Sequence, residues 1–169
     1  MRIHLLRHGE AEDRSSSGRD ADRALTEAGA KRLRAIARGI ASLGVEFSAI
    51  YVSPLLRARQ TAEPVAAACG FAGGLTTTPA LVPEAPLDAI LDELALSAAG
   101  RSRTMLDVLL VGHQPHLGRL FGRLSTGRTD VEFPMRKATL AAFEIEGDPS
   151  LERAELRYFL PARILEKLA

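Results

Sequence analysis

The chain has 169 residues, 46% of them apolar and 25% charged, and carries a net charge of +1 at neutral pH. That length and balance predict one globular domain, residues 1–169, able to bury roughly 70% of the surface its unfolded form exposes, and they exclude a disordered or collagen-like chain. Near-zero charge argues against nucleic acid as the main partner, because such domains carry a strong basic excess, so any positive charge that matters must be local.

The lone Cys69 allows no internal disulfide and reads as a core residue of a protein made in a reducing compartment. The apolar run that follows Arg2 is too short for a secretory signal, and no later run approaches membrane length. A soluble cytoplasmic protein with no membrane association is expected.

Ile3 to Leu6 is a short apolar run that stops at Arg7-His8-Gly9, the pattern of a buried parallel strand feeding a functional loop. Ala11 to Ala24 turns to charged residues, serine and glycine and reads as a long loop. Thr26 is placed to cap a helix whose Leu33, Ile36, Ala37, Ile40 and Leu43 keep helical spacing, with Gly44 as its stop. Phe47 to Val52 reads as a second strand, after which Ser53 offers an N-cap and Pro54 a first helical residue for a helix to about Ala68.

Leu75 to Thr78 gives a weaker strand signal, Asp88 to Ala99 a helix, and Met105 to Val111 a buried strand ending at Gly112-His113. Pro115 opens a helix through Leu124. Two alternating runs, Thr139 to Ile145 and Ala154 to Leu160, are joined by Gly147-Asp148-Pro149 and predict an antiparallel hairpin at a sheet edge. The expected fold class is α/β, three layers around a mostly parallel sheet with an antiparallel edge strand.

His8, Arg57 and His113 each follow a predicted strand directly or lie in the first turn of the helix after it. In an open parallel sheet, ligands bind outside the carboxyl ends of the strands, so residues this distant in sequence can converge there. Arg57 stands in the first turn of its helix, where the dipole disfavours a cation by roughly 0.3–1 kcal/mol. A broken local rule points to function, and a guanidinium beside helix amides suits an anion. Arg7 adds a second fork for phosphate oxygens.

A neutral imidazole at His8 is a competent nucleophile toward phosphorus when its other nitrogen donates to a fixed acceptor. Gly9 permits close backbone approach, and His113 is placed to donate to a phosphate oxygen, with its charged form stabilising the transition state. His113 and His116 lack the carboxylate or cysteine company of a zinc or iron site, so no metal is expected. His116 then reads as a helix surface residue, Arg59 as an exposed arginine, and His4 as an in-strand residue without a role.

These residues resemble a known family. Leu6-Arg7-His8-Gly9-Glu10-Ala11 is similar to the RHG signature of the histidine phosphatase superfamily, the phosphoglycerate mutase-like fold. Leu25-Thr26-Glu27-Ala28-Gly29, Ser53-Pro54-Leu55-Leu56-Arg57-Ala58-Arg59-Gln60-Thr61-Ala62 and Val111-Gly112-His113-Gln114-Pro115 match it in order. The resemblance implies that His8 is phosphorylated in turnover, that Arg7 and Arg57 bind phosphoryl oxygens, that His113 completes the pocket, and that no cofactor takes part. The short chain, the segment Asp22-Arg23-Ala24-Leu25-Thr26 and the compact stretch from Thr61 to His113 look most like the SixA-like phosphohistidine phosphatases, a minimal version without the large insertion. Arg23 is a further phosphate-side cation by that analogy, set against the plainer reading of a loop arginine.

Larger members carry an acidic proton donor on the insertion that is nearly missing here. Glu84 is the remaining carboxylate for that role, against the plainer reading of an exposed loop glutamate. A phosphohistidine substrate makes the shortage tolerable, because its leaving nitrogen can be protonated before the P–N bond breaks. The expected activity is removal of phosphate from phosphohistidine on a signalling or phosphotransfer protein, with a small-molecule phosphomonoesterase as the alternative.

Overall fold

A computed structural model of the chain describes residues 1–98, 106–146 and 154–169. In chain order these form β1 (Arg2–Arg7), α1 (Glu27–Ala41), β2 (Ala49–Val52), α2 (Leu56–Ala68), β3 (Thr76–Thr77), α3 (Leu87–Ala98), β4 (Asp107–Gly112), α4 (His116–Thr126), β5 (Leu140–Glu144), β6 (Glu155–Leu160) and α5 (Ala162–Leu165). The strands make one sheet in the order β3-β2-β4-β1-β5-β6. β1, β2, β3 and β4 pair in parallel, while β5 runs antiparallel to both β1 and β6. The reversed strand is therefore β5, one place in from the edge, and the β5–β6 pair is the antiparallel hairpin that the alternating runs predict.

Successive strand residues face opposite sides, and here both sides are apolar. Leu6, Ile50, Val52, Leu109 and Val111 pack with Leu33, Ile36 and Val65 of α1 and α2. Ile3, Leu5, Val108 and Leu110 pack with Ile90, Leu91, Leu120 and Leu124 of α3 and α4. The result is the three-layer α/β arrangement, with β1, β4 and β5 buried on both faces.

His4 is the polar exception in β1, and it is fully buried. Its Nε2 lies 2.7 Å from the Asp107 carboxylate and its Nδ1 2.9 Å from the Tyr158 hydroxyl. A carboxylate can only accept, so Nε2 carries the proton and Nδ1 accepts from Tyr158. One side chain thereby ties β1 to the start of β4 and to edge strand β6, a structural role that strand periodicity alone did not assign.

Several boundaries differ from the sequence reading. α2 starts at Leu56, and Pro54-Leu55 form a bend before it with no side chain capping the helix. The Leu75–Thr78 signal yields a strand of two residues. α4 continues to Thr126, where Gly127 stops it with φ of 76°. Ala99, Met105 and the Gly147-Asp148-Pro149 turn lie outside the described residues.

Gly39 marks the closest approach of α1 to α5, since a Cβ there would come within 1.8 Å of the Leu165 carbonyl oxygen. Backbone atoms cannot rotate away as a side chain can. Gly39→Ala is expected to lower stability in urea denaturation by about 1–3 kcal/mol; an unchanged midpoint would show that α5 is free to shift.

Candidate active site

The parallel register sets Arg7 of β1 opposite Gly112 of β4. Both strands stop there, and the next residues, His8 and His113, stand side by side with ring centroids 5.0 Å apart. β2 lies on the other side of β4 and ends at Val52, and the amide of the next residue, Ser53, donates to the Val111 carbonyl. Arg57 is the second residue of α2 and is 5% exposed. Thr61, one turn on, accepts from the Gly9 amide at 3.0 Å and so fixes α2 against the loop after β1.

His8 is 6% exposed, with Nδ1 at 2.7 Å from the Gly9 carbonyl. A carbonyl only accepts, so Nδ1 holds the proton and Nε2 keeps its lone pair. Burial, aided by the charges of Arg57, Arg7 and Lys137, pushes the ring's pKa down to about 4. At neutral pH it is an uncharged imidazole with a free nucleophilic nitrogen.

Ser53 is the residue whose place was misread. It is fully buried, and its hydroxyl lies 2.8 Å from His113 Nε2. The Leu55 amide donates to the same oxygen from 3.4 Å, and among the described residues the buried Ser53 hydroxyl has no acceptor other than His113, so its proton is assigned to the bond with Nε2. Nδ1 of His113 is then the protonated nitrogen, and it has no partner within the protein. Burial first, then the neighbouring His8 and Arg57 charges, pushes His113 down to about 3. The charged donor expected from the sequence is replaced by a neutral Nδ1–H donor.

The two arginines reach the pocket differently. Arg57 gives one N–H to the Asp20 carbonyl at 2.8 Å and one to the Asp20 carboxylate at 2.9 Å, which leaves three of its five N–H groups. Arg7 donates to the Met135 carbonyl at 2.7 Å, while its buried Nε has no partner and burial lowers its pKa. It makes no ion pair among the described residues. Arg7 Nε and His113 Nδ1 are thus two buried donors without acceptors, beside a neutral imidazole.

The segment 134–139 is stapled onto this end of β1. The Ala138 amide donates to the carbonyls of both Arg7 and His8, each at 3.1 Å. Ala138 holds φ at 55° to do so, a left-handed conformation that costs a non-glycine residue about 1 kcal/mol or more. Such strain persists where surrounding contacts over-determine it.

The remaining sequence candidates sit as follows. Arg23 donates to the Glu12 carbonyl and to the Asp20 carboxylate, so it meets Arg57 only through Asp20. Asp20 is the carboxylate on Arg57, and the hydrogen bond from Arg23, followed by that from Arg57, lowers its pKa. No local signal in the sequence marks it. Glu84 is exposed, beyond the short turn Pro79–Leu81 that packs over the end of β4. Arg59 is exposed as expected.

His116 is not a surface residue: it is fully buried in the first turn of α4. His116, Leu120 and Leu124 are spaced i, i+4 and i+8 on the apolar stripe of that helix, a pattern the sequence already held. Burial pushes its pKa down to about 4, with the Pro86 carbonyl opposing in part. Among the described residues no group of three or more His, Cys, Asp or Glu side chains is placed to hold a metal ion.

Residues 3–82 match the histidine phosphatase superfamily, branch 1. The chain is also 31% identical over 134 residues to the phosphohistidine phosphatase SixA of Escherichia coli K12, covering 79% of this chain and 80% of that one. The chain belongs to the histidine phosphatase superfamily. This histidine phosphatase is 38% identical over 138 residues to an uncharacterized protein of Picosynechococcus, with 82% and 81% of the two chains covered. A SixA structure complexed with tungstate shares its fold at a TM-score of 0.82 and 25% identity, over 96% of this chain and 98% of that one. A mycobacterial glucosyl-3-phosphoglycerate phosphatase shares the fold at a TM-score of 0.68 and 18% identity, over 95% and 98%.

The three buried histidines of this region also make stability depend on pH. For His116 the unfolded chain takes a proton near pH 6.5 and the folded one only near 4, so stability is fully present above about 6.5 and is lost as pH falls toward 4. The depressed pKa values of His8 and His113 act with the same sign. His116→Leu is expected to recover on the order of 3 kcal/mol of the acid loss, measured by urea denaturation at a series of pH values from 7.5 to about 4. Parallel stability curves for the two proteins would contradict this account of His116.

Proposed function

We propose that this histidine phosphatase removes phosphate from phosphohistidine on a signalling or phosphotransfer protein, through a phosphohistidine formed on its own His8. The observation that carries the reading is the meeting of a free His8 Nε2 with two buried donors that lack acceptors, Arg7 Nε and His113 Nδ1. A phosphoryl group there satisfies both donors while lying against the nucleophile. The SixA structure that shares this fold holds tungstate, another tetrahedral oxyanion.

In the first step His8 Nε2 attacks phosphorus in line with the bond to the substrate imidazole. The P–N bond breaks, and the leaving nitrogen departs already protonated. Arg7, the three free N–H groups of Arg57 and the Nδ1–H of His113 hold the equatorial oxygens as charge shifts among them. The Gly9 carbonyl stabilises the positive charge that grows on the His8 ring. Water then cleaves the new P–N bond, returning neutral His8 and inorganic phosphate. Arg23 supports the oxygens from behind Asp20. These groups supply the charge neutralisation, so the proposed chemistry is metal-independent and uses no cofactor, and its setting is the cytoplasm.

The carboxylate question bears on the substrate. Asp20 is held ionised by its arginines and is a poor acid, and Glu84 is exposed on its turn. A substrate that brings its own protonated leaving nitrogen suits such a site. Hydrolysis of small phosphate esters is the second reading, favoured by the fold shared with the glucosyl-3-phosphoglycerate phosphatase; it assigns Glu84 the role of general acid.

One panel separates the two: phosphate release from a phosphohistidine protein, a phosphoserine peptide and sugar phosphates, in EDTA, with wild type, His8→Ala and Glu84→Gln. Wild type should prefer phosphohistidine, form an acid-labile phosphoenzyme and be inhibited by vanadate. His8→Ala should lose all turnover. Glu84→Gln should lose less than about tenfold on phosphohistidine, whereas an ester phosphatase relying on that acid loses about 10²–10⁴-fold. Collapse of Glu84→Gln on every substrate would move the assignment to small esters, and full activity in His8→Ala would end the covalent mechanism.

A further inference from the structure

Beside the phosphate pocket lies a groove of about 800 Å³. It shares Arg7 and Gly9 with the pocket, but His8, Arg57 and His113 do not line it. Its other walls come from α1, the segment 134–139 and the turn from β6 into α5. A chain with a net charge of only +1 places Arg32, Arg136, Lys137 and Arg163 around this groove together with Arg7, against Glu10 as the only lining carboxylate among the described residues.

Arg32 is engaged by Glu166 through two hydrogen bonds. The side chains of Arg136, Lys137 and Arg163 make no ion pair or hydrogen bond among the described residues. The backbone beneath Arg136 and Lys137 is fixed, because Met135 and Ala138 on either side are bonded to Arg7 and His8. These charges are therefore held in register with the reacting end of β1. Beside them the groove offers apolar surface from exposed Pro134 and half-buried Pro161, with Leu33 and Ile36 lying beneath as buried core.

We propose that this groove docks an acidic segment of the phosphoprotein substrate, one with carboxylates and an apolar residue near the phosphorylated histidine. The proposal rests on the protein-substrate reading above. Two features favour a peptide segment over a compact metabolite. A ligand that presents its phosphoryl group to His8 and also reaches Arg136 and Arg163 must extend along the groove past Arg7. The mixture of cations with the apolar surface of Pro134 and Pro161 also matches a folded protein's surface better than a molecule that is anionic throughout. Unpaired rim cations of this kind act mainly on encounter and on salt dependence.

The test uses the full chain and the variant Arg136→Glu/Arg163→Glu. Lys137 stays unchanged because its charge reaches the His8 ring. The probes are a phosphohistidine peptide flanked by Glu, Asp and Leu, the same peptide with Gln and Asn in place of the acids, the unphosphorylated acidic peptide for fluorescence anisotropy, tripolyphosphate as competitor, and phosphoramidate as a small substrate. The double variant should bind the unphosphorylated acidic peptide at least about tenfold more weakly at low salt, lose the kcat/KM advantage of acidic over neutral phosphopeptide, and turn over phosphoramidate within about twofold of wild type.

Equal binding of the acidic peptide by both proteins overturns the docking site. So does equal binding of acidic and neutral peptides with displacement by tripolyphosphate, which assigns the groove to a small polyanion. If the acidic peptide binds through the groove but neither phosphopeptide is hydrolysed while sugar phosphates are, docking stands and the phosphohistidine reading fails.

Discussion

β1 lies between β4 and β5 in the middle of the sheet, and its parallel pairing with β4 decides where every group of the site falls. Parallel strands end at the same side of a sheet, so the two runs that stop at Arg7 and at Gly112 deliver His8 and His113 to adjacent positions. The helices that cover both faces bury these strand ends and exclude water from them. A hydrogen bond that is weak in net terms when exposed becomes decisive in that setting, because an unsatisfied buried polar group costs about 1–3 kcal/mol. One nitrogen of each of the two rings is accordingly assigned, His8 Nδ1 to Gly9 and His113 Nε2 to Ser53, while the other is left for a ligand.

Burial also determines which groups carry charge. Both imidazoles are neutral at physiological pH, so the positive charge of the pocket rests on the guanidinium groups of Arg7 and Arg57. This division fits the proposed chemistry. A protonated His8 has no lone pair to offer, whereas guanidinium groups attract a phosphate dianion without competing for its proton. The cost is that the pocket is electrostatically unfinished, with Arg7 half-buried and lacking an ion-pair partner among the described residues. Sites of function are where such unfavourable terms persist.

Much of this was legible in the sequence. The apolar runs ending at Arg7 and Gly112 were readable because strands buried on both faces leave an uninterrupted signal, and Arg57 was conspicuous because it opposes its own helix dipole. Ser53 was misread because a Ser-Pro pair predicts a helix cap, whereas the chain bends at Pro54-Leu55 before α2 and frees the hydroxyl for His113. Asp20 left no trace, since its contact with Arg57 spans 37 positions and a loop aspartate among serines looks like any solvated residue. His116 was the recoverable miss: its place on the stripe of Leu120 and Leu124 outweighed its polarity. The cations of the groove come from α1, the segment 134–139 and α5, and only the fold brings them together.

The Asp20 contact at first sight opposes anion binding, because a carboxylate already sits on Arg57. Magnitudes decide otherwise. The Asp20 side chain is 59% exposed, and an ion pair so open to solvent contributes roughly 0–1 kcal/mol. It takes one N–H of the guanidinium, and the Asp20 carbonyl takes another, from the edge that faces the loop. In the proposed chemistry the three that remain are available for a bidentate grip on phosphate, and charge-assisted bonds of that kind are about twice as strong as neutral ones. Asp20 therefore competes little with a phosphoryl group. What it does is hold a long, rotamer-rich side chain in one orientation beside His113, so that the entropy of ordering Arg57 is spent in folding rather than in each encounter with substrate.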